Sequence, residues 1–197
     1  MPYDSAATRA RLLDAAYAEF SARGLAGARV DRIAAAASAN KQAIYAYFGS
    51  KEELFDAVLV DRIGVLADTV PYDPDDLPGY AGDLFDALNA APDLLRLTRW
   101  RSLERGDVAP DEVRSHLDKA VALRRVLDLP DDRTAVDILE IVVAISSAWT
   151  TVPQGLRAIG GEDPQERQAA HRAVVVAAVS AICRAMSGKE AAAGPTR

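Results

Sequence analysis

Three polar side chains on one short segment have the chemistry needed to contact a nucleic acid. In the segment KQAIYAYF, Ile44 and Phe48 lie four residues apart, which predicts a helix with an inward apolar face. Lys41, Gln42 and Tyr45 then fall on the outward face. Glutamine can pair with adenine in the major groove, lysine can contact guanine or a phosphate, and tyrosine a phosphate or a thymine methyl. This face predicts contact with double-stranded DNA.

A second short helix is predicted just before this segment, and it would hold the outward face in position. Ile33, Ala34 and Ala37 share one face, and the apolar period breaks at Ser38 before it restarts on the next helix. Two short helices joined by a three-residue turn, with small residues where they cross, are typical of a helix-turn-helix. Many helical proteins that do not bind DNA contain similar pairs, so the pattern alone leaves both interpretations open.

The whole chain predicts an all-α fold, because apolar residues recur every three or four positions and no strand-like alternation occurs. Asn40 is predicted to cap one helix, and Ser50 with Glu53 forms a capping box at the start of another. Three prolines make residues 69–79 a linker. The predicted helices span residues 5–22 (with Gly24 as the stop), 30–37, 41–48, 50–67, 80–90, 92–104, 111–127, 133–151 and 164–187.

Charge is distributed unevenly along the 197 residues. The net charge is −6, but the first 49 residues hold six basic and four acidic side chains, so the other 148 carry −8. Phosphate binding requires lysine and arginine. A basic N-terminal module on an acidic body is expected if only the first domain meets DNA.

Over about the first 55 residues, the order of residue types resembles the TetR family of transcriptional repressors. The resemblance implies an all-α protein with an N-terminal three-helix helix-turn-helix domain, followed by a helical ligand-binding and dimerisation domain. The matching positions are Leu12, Leu13, Ala15, Ala16, Phe20, Gly24, Val30, Ile33, Ala34, Ala37, Ile44, Tyr45, Tyr47, Phe48, Ser50, Lys51, Glu52, Glu53 and Leu54.

The resemblance also implies roles for individual residues. Lys41, Gln42 and Tyr45 are similar to base-proximal contacts, Tyr47 and Lys51 to phosphate clamps, and Thr8 to a backbone contact from the first helix. The full candidate DNA-binding set is Thr8, Arg29, Asn40, Lys41, Gln42, Ala43, Tyr45, Tyr47 and Lys51.

Departures from the family pattern affect these expectations. Ser38 stands where the family usually has glycine, so the turn must either avoid a left-handed conformation or tolerate strain. Ala43 and Ala46 are small, which leaves base contacts to fewer side chains. Arg29 replaces the usual serine or threonine cap, which weakens the cap but adds a cation near the phosphates.

A disordered tail is predicted at 188–197, and the family resemblance divides the rest of the chain into a DNA-binding domain at 1–50 and a regulatory and dimerisation domain at 51–187. The resemblance implies a homodimer that binds a palindromic operator and is released by a small-molecule effector of unknown identity. Apolar side chains around Val142, Ile145, Val175 and Val179 are expected at the subunit interface, since helices apolar on several faces must be buried on several faces. Complete burial inside one subunit is the alternative.

Candidates for the effector pocket are Phe85, Thr98, Trp100, His116 and Trp149, although each residue type is more often plain core or surface. A DNA-binding protein whose C-terminal domain only dimerises, or binds a partner protein, is a further alternative.

No cofactor, metal site or catalytic residue is expected. The two histidines, His116 and His171, are far apart in sequence, and the chain has no phosphate-binding glycine loop or nucleophile elbow. With no signal-peptide pattern and no uncharged stretch of membrane-spanning length, we expect a cytoplasmic protein that does not contact a membrane. The lone Cys183 is expected to be a buried structural thiol.

Overall fold

The computed structural model describes residues 5–106, 110–159 and 163–187, which form helices and no strands. The predicted tail at 188–197 lies outside these residues. The helices are α1 (Ser5–Gly27), α2 (Val30–Ala36), α3 (Lys41–Phe48), α4 (Lys51–Thr69), α5 (Leu77–Ala90), α6 (Pro92–Glu104), α7 (Pro110–Leu127), α8 (Asp132–Thr151), α9 (Gln154–Arg157) and α10 (Pro164–Met186).

Most helix bounds agree with the sequence prediction to within a residue or two, and α3 and α6 agree at both ends. The short α9 was not predicted, because a single helical turn carries no apolar period. Helix α5 begins at Leu77, three residues before its predicted start. The N-terminal boundary prediction missed that turn because Pro78 occupies a first-turn position, where proline is tolerated.

The chain folds as two compact units, Met1–Asp68 with Ala91–Asp107, and Thr69–Ala90 with Val108–Arg197. The first unit therefore contains α4 and α6 in addition to the three helices expected in a domain ending at residue 50. Helix α4 belongs there because Leu54, Phe55 and Val58 are buried in the same core as Phe20, whose ring meets that of Phe55 edge-on at 5.0 Å.

Helix α6 is tied to the end of α1 at a break in that helix. Gly24 has a positive φ of 68° and a non-helical ψ of 178°, which a glycine adopts without steric cost. The Glu104 carboxylate accepts hydrogen bonds from the amides of Leu25 (2.6 Å) and Ala26 (3.1 Å), which follow the break. The Trp100 indole donates to the Ser21 carbonyl at 3.3 Å. The predicted stop at Gly24 is thus a break, after which helical structure resumes as far as Gly27.

The second unit surrounds its own core, formed by α5, α7, α8 and α10. Phe85, Leu123 and Val142 are fully buried in it. The buried Ser146 hydroxyl donates to the Ala81 carbonyl at 3.1 Å, so its burial leaves no unpaired donor.

Three of the four residues expected at the subunit interface, on α8 and α10, are buried inside the subunit, and Ile145 is partly buried there. Val142 and Val179 are fully buried and Val175 is 3 % exposed, so these side chains form the core of a single subunit. Their neighbours are the ones that face outward, with exposed fractions of 46 % for Ile141 and 64 % for Val174. The prediction was wrong in register because a helix that is apolar all round does not reveal which face its own subunit covers.

Candidate nucleic-acid interface

The turn between α2 and α3 is built from backbone hydrogen bonds around a strained residue. The amide of Ala39 donates to the Ala34 carbonyl at 2.9 Å and closes the end of α2. Ser38 has a φ of 51°, in the left-handed region, and is exposed. Of the two outcomes expected for a non-glycine residue here, the chain therefore adopts the strained one.

Helix α3 begins at a side-chain cap. The Asn40 carboxamide oxygen accepts from the Ala43 amide at 2.8 Å, as the sequence predicted. This places Asn40 and Ala43 at the N-terminal end of the helix, where a recognition helix approaches base edges in this class of motif.

The outward face of α3 follows from what the helix buries. Ile44 is fully buried and Phe48 is 8 % exposed, both in the core of the first unit. Lys41, Gln42 and Tyr45 are exposed on the other side, with Tyr45 at 45 %. A cation, a carboxamide and a phenol are thus presented together on one rigid helix.

Lys41 is held by an acidic neighbour on α2. Its ammonium lies 3.1 Å from an oxygen of Asp31, and the hydrogen bond to Asp31 raises the pKa of Lys41 above its usual value. The lysine therefore stays protonated at physiological pH. Both groups are exposed, so a phosphate or a base can compete for the ammonium.

The first helix supplies exposed cations that were not among the predicted DNA contacts. Thr8 is only 3 % exposed, and its hydroxyl accepts from the Arg11 guanidinium at 3.1 Å. Arg11 also donates to the Ala37 carbonyl at 3.4 Å, while the Arg9 guanidinium lies 5.4 Å from the ring centroid of Phe48. Arg9 and Arg11 are both exposed. Their positions in the sequence could have indicated them, because Arg9 and Arg11 follow the predicted DNA contact Thr8 on the same helix.

Tyr47 and Lys51 already have partners inside the protein. The Tyr47 hydroxyl and the Ser5 hydroxyl are 3.1 Å apart in an exposed hydrogen bond. The half-buried Lys51 ammonium donates to the Leu25 carbonyl at 2.8 Å and to the Ala28 carbonyl at 3.4 Å. Lys51 therefore fastens the start of α4 to the end of α1, and its expected contact with phosphate stays a prediction.

The start of α2 is capped from another helix. Arg29 is exposed and its side chain forms no cap, but its amide donates to the Glu19 carboxylate at 3.1 Å. Burial alone raises the pKa of Glu19, but hydrogen bonds from Arg32 and from the Arg29 amide outweigh it, and the pKa lies below its usual value. Glu19 thereby performs the capping that Arg29 cannot.

The structure does not bring the five predicted pocket residues together in one pocket. Thr98 and Trp100 lie on α6 in the first unit. In the second unit, the ring centroid of His171 lies 5.8 Å from that of Phe85 and 5.1 Å from that of Trp149. Phe85 and Trp149 therefore pack against the same histidine ring. His116 lines a separate groove of about 250 Å³, together with Glu112, Val113, Leu117, Val136 and Glu140.

The geometry of the first unit defines a helix-turn-helix protein whose recognition helix is α3. Residues 12–58 match the family described as bacterial regulatory proteins, tetR family, and residues 76–180 match the tetracyclin repressor-like C-terminal domain. The chain belongs to the TetR family of DNA-binding transcriptional regulators.

Individual relatives agree with this assignment. The HTH-type transcriptional repressor SCO4008 of Streptomyces coelicolor is 44 % identical over 168 residues, which cover 81 % of this chain and 88 % of the relative. The repressor NicS of Pseudomonas putida is 48 % identical over 52 residues, 26 % of this chain and 24 % of that protein. The crystal structure of the regulator SCO4942 from Streptomyces coelicolor is 39 % identical, with a TM-score of 0.75 over 89 % of this chain and 97 % of that one.

Proposed function

We propose that this protein is a homodimeric cytoplasmic repressor that binds a palindromic operator through α3 and is released by a small-molecule effector bound in its second unit. The observation that carries the proposal is the outward face of α3, where Lys41, Gln42 and Tyr45 are exposed on a capped helix with a buried opposite face. In the major groove this face supplies bidentate, cationic and phenolic contacts. The named repressors among its relatives support repression.

The contacts to DNA divide into two kinds. Gln42 and Lys41 are positioned to read bases, with Asn40 and Ala43 beside them at the start of α3. Arg9, Arg11 and Arg29 are exposed cations suited to phosphates, which position the protein without reading sequence. Lys51 is proposed to contact a phosphate through the ammonium proton that its two internal hydrogen bonds leave available, and Tyr47 by giving up its bond to the Ser5 hydroxyl.

Dimerisation is supported by the outward faces of α8 and α10. Ile141, Val143 and Val174 are between 43 % and 64 % exposed in one subunit. Both helices are long and apolar enough, by length and composition, to cross a membrane. We assign these faces to a second copy of the chain, because one recognition helix reaches too few base pairs to select a site and two related by a two-fold axis read a palindrome.

Selection from random duplex DNA tests the proposal directly. The wild-type protein should enrich a palindrome with half-sites about one turn of DNA or somewhat more apart, and sedimentation should give twice the 21.0 kDa chain mass. The matched control is a protein with Gln42 and Tyr45 both changed to alanine, which keeps the buried face of α3. Enrichment of the same palindrome by that control, or tight operator binding by a monomer, would contradict the proposal.

The effector is tested by linkage. A ligand of the second unit that lowers operator affinity must itself be bound more weakly when operator is present, by the same factor, typically about 1–3 kcal/mol. Calorimetry with and without operator measures both sides of this relation. Equal ligand affinity in both titrations would indicate that the second unit only dimerises.

A further inference from the structure

A groove in the second unit collects positive charge around a tryptophan. It lies where the end of α8, the short α9 and the start of α10 meet, and has a volume of about 260 Å³. Its described lining residues are Trp149, Gln154, Arg157, Ala158, Pro164, Arg167 and Gln168. This volume is slightly below the about 300–1,000 Å³ of most ligand pockets, so the groove suits a small molecule.

Two guanidinium groups lie over the same indole ring. The central carbons of Arg157 and Arg167 are 5.5 Å and 5.9 Å from the ring centroid of Trp149, which is only 7 % exposed. Cation–π attraction holds each guanidinium at the groove, but the ring supplies no acceptor for the Nε–H of Arg157. The buried Nε of Arg157 has no described hydrogen-bond acceptor. A buried charged donor without an acceptor is unfavourable unless a ligand supplies one.

The charge of this groove is unusual for the chain. None of its described lining residues is acidic, although the protein has 29 acidic side chains and a net charge of −6. Arg172, which lies on α10 like Arg167, has acidic neighbours instead. Its guanidinium donates to the carboxylates of Asp86 at 2.6 Å and Asp83 at 3.2 Å. The positive charge of Arg172 is therefore neutralised inside the protein, whereas no described carboxylate lines the groove at Arg157.

We propose that this groove binds a small organic carboxylate with a flat apolar body. The carboxylate would accept charge-assisted hydrogen bonds from Arg157 and Arg167, and the body would lie along the apolar surface formed by Trp149, Ala158 and Pro164. The carboxamides of Gln154 and Gln168 add neutral donors at the rim. This assignment rests on the proposed function, because it gives the chemical class of the effector.

Titration calorimetry with benzoate and phenylacetate as probes tests the assignment on the full-length chain. Both should bind, whereas benzamide, which has the same shape without the charge, should bind at least about tenfold more weakly. Inorganic phosphate, which has the charge without the apolar body, should also bind at least about tenfold more weakly.

Charge-removing variants locate the site. Arg157→Gln and Arg167→Gln should each weaken benzoate binding by about tenfold or more. Arg172→Gln is the matched control on the same helix and should leave benzoate affinity unchanged, with folding of all three variants checked by circular dichroism. Unchanged benzoate affinity in folded Arg157→Gln, equal affinity for benzamide, or no binding of either carboxylate would overturn the proposal.

The same variants separate this inference from the proposed function. Each is also tested for operator binding and sedimentation without benzoate, and wild-type behaviour there is expected. If operator binding and dimerisation are normal but neither carboxylate binds, the inference fails and the proposed function stands. If the wild type does not bind an operator, the proposed function fails whatever benzoate does. If Arg157→Gln dissociates the dimer, the arginine serves the subunit contact and the proposal is overturned.

Discussion

The proposed DNA contacts of Gln42 and Arg9 differ in chemistry, although both side chains are exposed in the first unit. A carboxamide offers a donor and an acceptor that match one base, whereas a guanidinium near the backbone responds to phosphate charge. Gln42→Ala should therefore reduce discrimination between the selected operator and its point variants by about 1–3 kcal/mol at the contacted position. Fluorescence anisotropy on matched DNA pairs measures this.

Arg9→Ala is the matched control for that experiment. It should weaken binding to all sequences alike and reduce the slope of log affinity against log salt by about one. Undiminished discrimination by Gln42→Ala would show that base reading resides elsewhere on the protein.

Lys51 has a structural role that its family position does not reveal. Its ammonium bonds to the carbonyls of Leu25 and Ala28 in a half-buried site. Lys51→Ala should lower the free energy of unfolding by about 1–2 kcal/mol, because the carbonyls lose a charged donor. Urea unfolding measures the loss, and Lys41→Ala, which removes an exposed ammonium, should change stability little. Unchanged stability in Lys51→Ala would contradict these contacts.

At the scale of elements, the turn before the recognition helix stores backbone strain. Ser38 has a φ of 51° and an exposed side chain. Ser38→Gly should raise the free energy of unfolding by about 0.5–1 kcal/mol, since the relief of a left-handed side chain exceeds the added entropy of a glycine in the unfolded chain. Ser38→Ala keeps the Cβ and should not stabilise. Equal effects of the two substitutions in denaturant unfolding would exclude strain as the cause.

The junction of α1 and α2 predicts a dependence of stability on pH. The folded pKa of Glu19 lies below its ordinary value of 4.5, so the unfolded state binds the proton more readily. This contribution to stability is present above the unfolded pKa and is lost as the pH falls through the folded pKa. Glu19→Gln should therefore be less stable than the wild type at neutral pH, with the difference shrinking below about pH 4. A difference that stays constant between neutral pH and about pH 3 would exclude this linkage.

At the scale of the whole molecule, substitutions of two adjacent valines on α10 should affect folding and dimerisation separately. Val174 is 64 % exposed in one subunit, whereas Val175 is 3 % exposed. Val174→Asp should leave the subunit folded but place an unpaired carboxylate in the proposed interface, so sedimentation should shift toward the mass of one chain. Val175→Asp should instead unfold the second unit. A Val174→Asp protein that remains a dimer would remove this face from the interface.

The sequence alone determined most of the helices and the outward face of α3. Caps at Asn40 and Ser50 act within three residues, and the apolar period of Ile44 and Phe48 acts within one turn, so these signals are local and legible in the chain. The family resemblance, carried by the same local positions, was sufficient to predict an all-α DNA-binding regulator.

Only the tertiary structure decided which contacts those helices make. In the tertiary structure α6 belongs to the first unit, and Lys51 and Glu19 hydrogen-bond to backbone groups of other segments. Thr8 is buried, and Val175 rather than Val174 packs in the core. The tertiary structure also brings Arg157 and Arg167 to one indole ring. These pairings join residues from different elements, and an apolar period that surrounds a helix specifies burial without specifying the partner, which is set by packing of the complete chain.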